Sequence, residues 1–375
     1  MKKKKIIIFH PYSSLGGADN NLYRLINNLS PKNFSITFIS LQKSVLEKKL
    51  FKKINFINLN STRTLFAIFE LRKILKIYIK NYNKYEKIIF ISNQNFANVV
   101  SYFSTLNLIK IKKIFIERNH PDELDYFDGI FKFLKKQVIK CLMKISYKSA
   151  DKVIAICKEL SNDLSTLINK PVETIYSPSC DKIIYKLQNQ KIKFKFLKKN
   201  TYLINVSRFS KRKNQLDILM ATNQLFSKYK NLRLILIGYG EYKKKIINFI
   251  KANNLKKNVT LIDNCSNPYP YIKNSNLFIF ASSYEGFPNV LNEALMLNTP
   301  IISSDCKAGP REILLNGKGG DLFPTKNYLI LKAMIEKFIL NPKILQKKMV
   351  KAKKNLWKLS IQRNVKSYSK VFSKI

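Results

Sequence analysis

The chain has few of the residues that hold metals or carry redox chemistry. It contains two histidines and five cysteines among 375 residues. Cys141, Cys157, Cys180, Cys265 and Cys306 lie far apart with no C-x-x-C pair, and His10 and His120 join no Cys/His cluster. Zinc sites are built from such clusters, so no metal site is expected. Scattered cysteines of this kind fit a reducing cytosol, where they serve as small core side chains. No apolar run approaches the roughly eighteen residues that a membrane-crossing helix requires. Met1 and the lysines behind it, followed by Ile6 to Phe9, imitate a signal peptide only briefly. His10-Pro11 closes that run, which reads as a first strand.

Acidic residues are also scarce. Asp and Glu total 23 against 69 Lys and Arg, a formal charge of +46. Such a charge favours polyanions: nucleic acid, anionic lipid headgroups or phosphorylated substrates. The lysines are spread along the chain, and Lys, Asn and Ile are abundant everywhere, as AT-rich coding produces. The charge therefore permits these partners without selecting one. No RNP-like, zinc-finger or helix-turn-helix signature accompanies it, so nucleic acid is not an expected partner.

What is present is ample apolar content, 46% of residues, with no low-complexity segment and no internal repeat. The length exceeds the usual limit for one core, so two domains are expected. Short β-branched runs recur at Ile6 to Phe9, Ile36 to Ile39, Ile54 to Leu59, Ile88 to Ile91, Ile114 to Ile116 and Val153 to Ile156. Segments such as Ala18 to Leu29 and Leu65 to Ile79, lying between them, show helical spacing. The alternation restarts at Tyr202 to Val206 and continues through Leu232 to Ile237, Val259 to Ile262, Leu277 to Phe280 and Pro300 to Ser303. Continuous apolar strands alternating with helices imply parallel sheets covered on both faces. The fold class is α/β: two Rossmann-like domains facing a cleft, with ligands at the carboxyl ends of strands. The expected boundaries are 1–180, a polar, lysine-rich linker at 181–200, 201–358, and a last helical stretch at 359–375.

The most informative stretch is Ala281-Ser-Ser-Tyr-Glu285-Gly286-Phe287-Pro288-Asn289-Val290-Leu-Asn-Glu293-Ala. It reads as a strand end, a glycine-containing turn and a helix start, with Pro288 at the first helical position. A helix origin offers free N–H groups and a positive dipole end to an anion. Glu285 in the turn and Glu293 on the helix can accept hydrogen bonds from hydroxyls at the same mouth. A ligand bearing both phosphate and sugar hydroxyls, a nucleotide-sugar, fits that chemistry. The competing reading is a solvated loop acid and a surface helix acid.

Arg208 and Lys213 follow another strand end, where a guanidinium and an ammonium suit a diphosphate leaving group. Lys211 and Arg212 share the segment, so ordinary solvated basic residues compete with that reading. Gly16 and Gly17 lie between the first strand and first helix, where missing side chains let backbone approach a phosphate. The full G-x-G-x-x-G fingerprint is absent, and a plain turn is the alternative. Asp122, Glu123, Asp125 and Asp128 form the densest acidic patch. Its D-x-x-D spacing is not a metal-binding D-x-D, and the reading favoured is capping of the following helix. That helix, Ile130 to Ser149, sets an apolar stripe of Phe131, Leu134, Val138, Cys141, Leu142 and Ile145 against many lysines. Two readings stay open: a basic amphipathic helix for an anionic membrane surface, or a core-packing helix with a solvated lysine face.

The segment at Glu285 to Glu293 resembles the E-x7-E signature of the family 4 retaining glycosyltransferases, glycosyl transferases group 1 with the GT-B architecture. Asn205-Val-Ser-Arg208-Phe-Ser-Lys-Arg-Lys213-Asn is similar to that family's diphosphate-holding segment. Ser303-Ser-Asp305-Cys-Lys-Ala-Gly309-Pro310-Arg311-Glu312 is similar to its later Gly-Pro-Arg-Glu loop, and Gly16-Gly17 to its opening glycine pair. The resemblance implies transfer of a hexose or N-acetylhexosamine from a nucleoside diphosphate donor, UDP, to a glycan or lipid-linked acceptor, with retention, in bacterial surface polysaccharide, lipopolysaccharide or glycan assembly. It implies donor contacts from Gly16, Gly17, Arg208, Lys213 and Glu285 to Val290, with Glu293 on the ribose. Glu285, Arg208, Lys213 and His120 are its catalytic candidates, and Arg118 competes with His120 for that position. No cofactor and no metal are implied. It further implies an acceptor domain at 1–180, a last helix crossing back to it, and a cytoplasmic location, with peripheral attachment to the inner membrane face an open possibility. A GT-B nucleotide-sugar epimerase, which needs no acceptor, is the enzymatic alternative, and a nucleic-acid-binding protein the non-enzymatic one.

Overall fold

The computed structural model describes residues 2–12, 16–44, 47, 50, 54–127 and 129–375. They fall into two compact units: residues 1–178 with 359–375, and residues 179–358. The first unit contains strands β1 (Lys4–Phe9), β2 (Phe34–Ser40), β3 (Asn55–Asn58), β4 (Ile88–Asn93), β5 (Ile111–Glu117), β6 (Lys152–Ala155) and β7 (Glu173–Thr174). Its helices are α1 (Gly17–Asn28), α2 (Ala67–Lys80), α3 (Asn95–Ser104), α4 (Ile130–Lys148) and α5 (Lys158–Ile168). The second unit contains α6 (Ile183–Leu187), β8 (Thr201–Val206), α7 (Gln215–Phe226), β9 (Leu232–Ile237), α8 (Lys243–Ala252), β10 (Val259–Ile262) and α9 (Tyr269–Lys273). It continues through β11 (Leu277–Phe280), α10 (Asn289–Met296), β12 (Ile301–Ser304), α11 (Pro310–Ile313), β13 (Asp321–Phe323), α12 (Tyr328–Leu340) and α13 (Pro342–Lys353). The last helix, α14 (Ile361–Lys374), belongs to the first unit.

Each sheet is parallel throughout the described residues. The first runs β3-β2-β1-β4-β5-β6-β7 and the second β10-β9-β8-β11-β12-β13. The apolar runs explain this. Ile6 to Phe9 and Ile88 to Ile91 are buried along their whole length, as strands must be when helices cover both faces. The strand order reverses between β1 and β4 and again between β8 and β11, and at such points the strand ends open a crevice. The edge strands β7 and β13 escape the sequence pattern, because two- and three-residue strands give no apolar run to detect.

The segment expected as a linker, 181–200, lies within the second unit and includes α6. Helix α14 packs beside α1, where Phe372 is fully buried with its ring 5.7 Å from that of Phe34. The Phe372 carbonyl accepts from Lys4 Nζ at 3.1 Å, and Asn364 Nδ2 donates to the Tyr176 carbonyl at 2.6 Å. Phe372→Ala should therefore destabilise the first unit by about 3–5 kcal/mol. Urea unfolding of wild type and variant, followed by far-ultraviolet circular dichroism, measures the loss; a change within error would show that α14 does not fasten this unit.

Candidate functional site

In the second unit the β8–β11 ladder is short, pairing Leu277 with Leu203 and Phe278 with Ile204. Beyond it the side chain of Asn205 takes over, donating to the Ile279 carbonyl at 2.8 Å and accepting from Ser207 Oγ at 2.8 Å. The two strand ends then separate, and the sequence's basic segment and acidic turn grow from them.

The basic segment is held from three sides. Gln215 Nε2 donates to Ser207 Oγ at 2.9 Å and to the Arg208 carbonyl at 2.8 Å. Phe209 N–H donates to the Tyr239 carbonyl at 2.7 Å, and Gly240, at φ +143°, lies so close that a Cβ there would sit 2.3 Å from the Phe209 carbonyl oxygen. Only glycine combines that backbone angle with that approach. Asn214, in the left-handed region at φ 48°, donates through Nδ2 to the Ala281 carbonyl at 2.9 Å and Ser283 Oγ at 2.8 Å. Ser283 N–H donates to the Arg212 carbonyl at 2.8 Å, so the segment and the turn form one body.

Lys213 Nζ donates to Glu285 Oε1, and both side chains are almost entirely out of water. Burial works against the charge of Glu285. The Lys213 ammonium and the Arg212 guanidinium outweigh it and hold the carboxyl below its ordinary value. Arg208 is exposed, with its guanidinium 5.9 Å from the centre of the Tyr239 ring. Gly286, Phe287 and Pro288 are buried, while Asn289, Val290 and Glu293 are half-buried on α10. Pro288 is the residue before the helix, with ψ 96°, and the helix begins one position later than the sequence suggested. The Gly-Pro-Arg-Glu loop closes the other side: a Cβ on Gly309, at φ +109°, would lie 2.5 Å from Pro288 Cδ. Beside it Arg311 pairs in bidentate fashion with Asp305, both contacts 2.6 Å.

Three motifs far apart in sequence thus meet at one strand-order switch. The arrangement sets the Lys213–Glu285 pair in the turn ahead of α10 without burying an unpaired charge.

The first unit holds Gly16, Gly17 and His120. Gly16 N–H donates to Asp19 Oδ2 at 2.9 Å, and Asp19 Oδ1 lies 2.7 Å from His10 Nε2. This buried His10–Asp19 pair ties the glycine turn to the end of β1. Sequence reading passed over it, although a histidine closing the first strand and an acid on the first helical turn were its signal. His120 is buried with both ring nitrogens engaged: Nδ1 accepts from the Asp122 N–H at 3.2 Å and Nε2 lies 2.8 Å from Asp163 Oδ2. Such an imidazole anchors its loop. Arg118, also buried, donates through Nε to Asn93 Oδ1 at 3.1 Å, at the ends of β4 and β5. Asp125 does not cap α4 as expected. Its carboxylate pairs with Lys140 at 2.6 Å, two turns or more into that helix, because Gly129 holds the cap position. Asp128 lies outside the described residues. Among the described residues, no group of three or more His, Cys, Asp or Glu is placed to hold a metal ion.

Glu117 sits beneath the Arg118 loop. Its carboxylate accepts from Tyr147 Oη at 2.6 Å and from the N–H groups of Arg118 at 2.8 Å and Asn119 at 3.0 Å. Complete burial pushes its pKa up to about 7 in spite of those hydrogen bonds. An acid raised in the folded state binds more protons folded than unfolded, so its contribution to stability falls as pH rises from 4.5 to about 7. The ionised form costs on the order of 3 kcal/mol. Glu117→Gln should gain on wild type across that window and stay level with it below; melting curves at several pH values test this, and a constant difference at all pH values would refute it.

Comparison with known proteins follows the same outline. Residues 188–356 match the family model described as glycosyl transferases group 1. An uncharacterized glycosyltransferase of Methanocaldococcus jannaschii is 33% identical over 300 residues, covering 76% of this chain and 72% of the relative. The N-acetylgalactosamine-N,N'-diacetylbacillosaminyl-diphospho-undecaprenol 4-alpha-N-acetylgalactosaminyltransferase of Campylobacter jejuni is 31% identical over 208 residues, 53% of this chain and 54% of that one. Among solved structures, Anabaena HepE in complex with UDP superposes with a TM-score of 0.76 at 15% identity, covering 99% of this chain and all of the other. The two Rossmann-like domains are those of the GT-B fold expected from the sequence.

Proposed function

Because the chain belongs to the group 1 glycosyl transferases, a premise its relatives supply, we propose that it moves a hexose or N-acetylhexosamine from a UDP-sugar to a glycan or lipid-linked acceptor in polysaccharide assembly, with retention. The observation that carries this reading is the buried Lys213–Glu285 pair set beside the origin of α10. In this reading Arg208, Lys213 and the N–H groups at the start of α10 take the charge that grows on the diphosphate as the glycosidic bond breaks. Glu293 accepts from ribose hydroxyls. Glu285 lies toward the sugar and the β-phosphate, and its pairing with Lys213 aims the ammonium before the donor arrives. The acceptor hydroxyl attacks on the face that the leaving group vacates. A buried, prearranged cation is worth more to such a transition state than a hydrated one, typically about 3–4 kcal/mol for a single lost contact. The Campylobacter jejuni relative, named for transfer to a diphospho-undecaprenol-linked saccharide, supports the choice of acceptor.

Glu285→Gln should lower turnover of a UDP-sugar roughly 100-fold, the scale of one electrostatic contact. Its melt should remain cooperative, since the amide keeps the shape and one acceptor oxygen. Near-normal turnover in the folded variant would remove Glu285 from the chemistry. Product formation should require acceptor, and conversion of the donor without one would favour an epimerase. The diphosphate charge is assigned to protein cations, so turnover should also persist in excess EDTA; its abolition and recovery with a divalent ion would reverse that assignment.

A further inference from the structure

Opposite the Lys213–Glu285 turn, at the amino ends of β8, β11 and β12, the second unit has a recess of about 240 Å³. Thr201 opens β8, Ser275 and Asn276 lead into β11, and Asn298 precedes β12. Phe338, near the end of α12, and Gln346, in α13, complete the wall. The strands are parallel, so β11 alone puts about 13 Å between this end and the Glu285 turn, at roughly 3.3 Å per residue. A ligand held here does not touch Lys213 or Glu285.

None of the nine residues lining the recess is charged, in a chain where 25% of residues are. Two of its amides have their oxygens already engaged. Asn276 Oδ1 accepts from the Tyr202 N–H at 2.8 Å, and Asn298 Oδ1 accepts from Lys353 Nζ at 2.5 Å. Each keeps its NH2 group for a ligand. Ser275 Oγ donates to the Tyr271 carbonyl at 2.8 Å, which leaves its lone pairs to accept. The Thr201 hydroxyl and the Gln346 amide can each do both. Donors, acceptors and the apolar ring of Phe338 share one small space.

We propose that this recess binds one neutral sugar ring, free or within a glycan. The hydroxyls of a sugar each donate and accept while its C–H faces are apolar, and the lining answers both. Volume limits the occupant. Pockets for drug-sized ligands run from about 300 to 1,000 Å³, so a recess of about 240 Å³ suits a single ring and not a nucleotide-sugar. A phosphate or carboxylate calls for a cation in the wall, and the lining supplies none. A glycan held there stays with the protein without occupying the Glu285 turn. The inference stands apart from the transfer reaction and holds whichever sugar is moved.

Saturation-transfer NMR on the full chain tests this with millimolar glucose, galactose, N-acetylglucosamine and N-acetylgalactosamine, and with lactose and chitobiose as glycan probes. At least one probe should receive magnetisation from the protein, and a stronger effect on one ring of a disaccharide than on the free sugar identifies a glycan as the source. Asn276→Asp keeps the oxygen that the Tyr202 N–H needs and removes the NH2 group, while Gln346→Ala alters only an exposed position on α13. Each should weaken binding ~10-fold, the scale of one hydrogen bond, and leave the melt cooperative. Gln346→Ala supplies the answer if Asn276→Asp disturbs the strand. Glu285→Gln should not weaken binding, so the result stands whether or not that turn carries the transfer. Silence from every probe would overturn the proposal, as would a signal that both substitutions leave intact. Tighter binding of glucuronate than of glucose would overturn it too, by showing a site for anions.

Discussion

The second unit is organised by a buried carboxylate that the cations beside it keep charged. Glu285 lies in a buried turn, where desolvation alone favours the neutral acid. The Lys213 ammonium reverses that preference, and the turn and the basic segment are bound to each other wherever Lys213 is bound to Glu285. Taking two charges out of water costs several kcal/mol per ion, and a well-packed apolar pair of similar volume often stabilises a fold at least as well. Stability is therefore a weak reason for this pair to exist. Its effect is positional: Lys213 is fixed near the α10 origin, one acceptor oxygen is held in place, and Asn214 and Ser283 complete the join through neutral hydrogen bonds.

The first unit contains the opposite solution. Glu117 is as deeply buried but has a phenol and two backbone N–H groups in place of an ammonium. Hydrogen bonds from neutral donors offset only part of the desolvation, and its pKa remains high, at about 7. Tyr147, which also accepts from Asn98 Nδ2 at 2.8 Å, links Glu117 to α3 and α4. One carboxylate, kept ionised, fixes the Lys213 ammonium beside its turn. The other, poised near neutrality, fastens the loop that carries Arg118. The architecture is repeated, and the partner given to the buried acid determines what each strand end can do.

Much of this was legible in the sequence. Fully apolar strands such as Ile88 to Ile91 announce parallel sheets, and the spacings of Glu285 from Glu293 and of Arg208 from Lys213 mark two segments that the fold joins through Lys213 and Glu285. What spacing could not show is which neighbour a side chain meets. In the sequence His120 is a catalytic candidate in competition with Arg118, and only the fold brings Asp163 to one nitrogen and the Asp122 N–H to the other. Asp125 looked like a helix cap, and its partner Lys140 is 15 residues away along the chain. The stripe on α4 could be listed from sequence, but its direction could not. Ile139, Met143 and Tyr147 give the helix a second apolar side, and periodicity alone does not say which of two sides the core takes.

That ambiguity has a physical consequence. A helix with one apolar face is fully accounted for once the face is buried, and its remaining polar residues need no explanation. A helix with two has surface left over, at a cost of about 25 cal/mol for each Å² of apolar area held in water. Exposed leucine, valine and isoleucine occur singly on most proteins without meaning. Aligned along one helix that has no acidic residue, they share a direction that scattered residues lack. The net charge of +46, spread over the whole chain, names no partner.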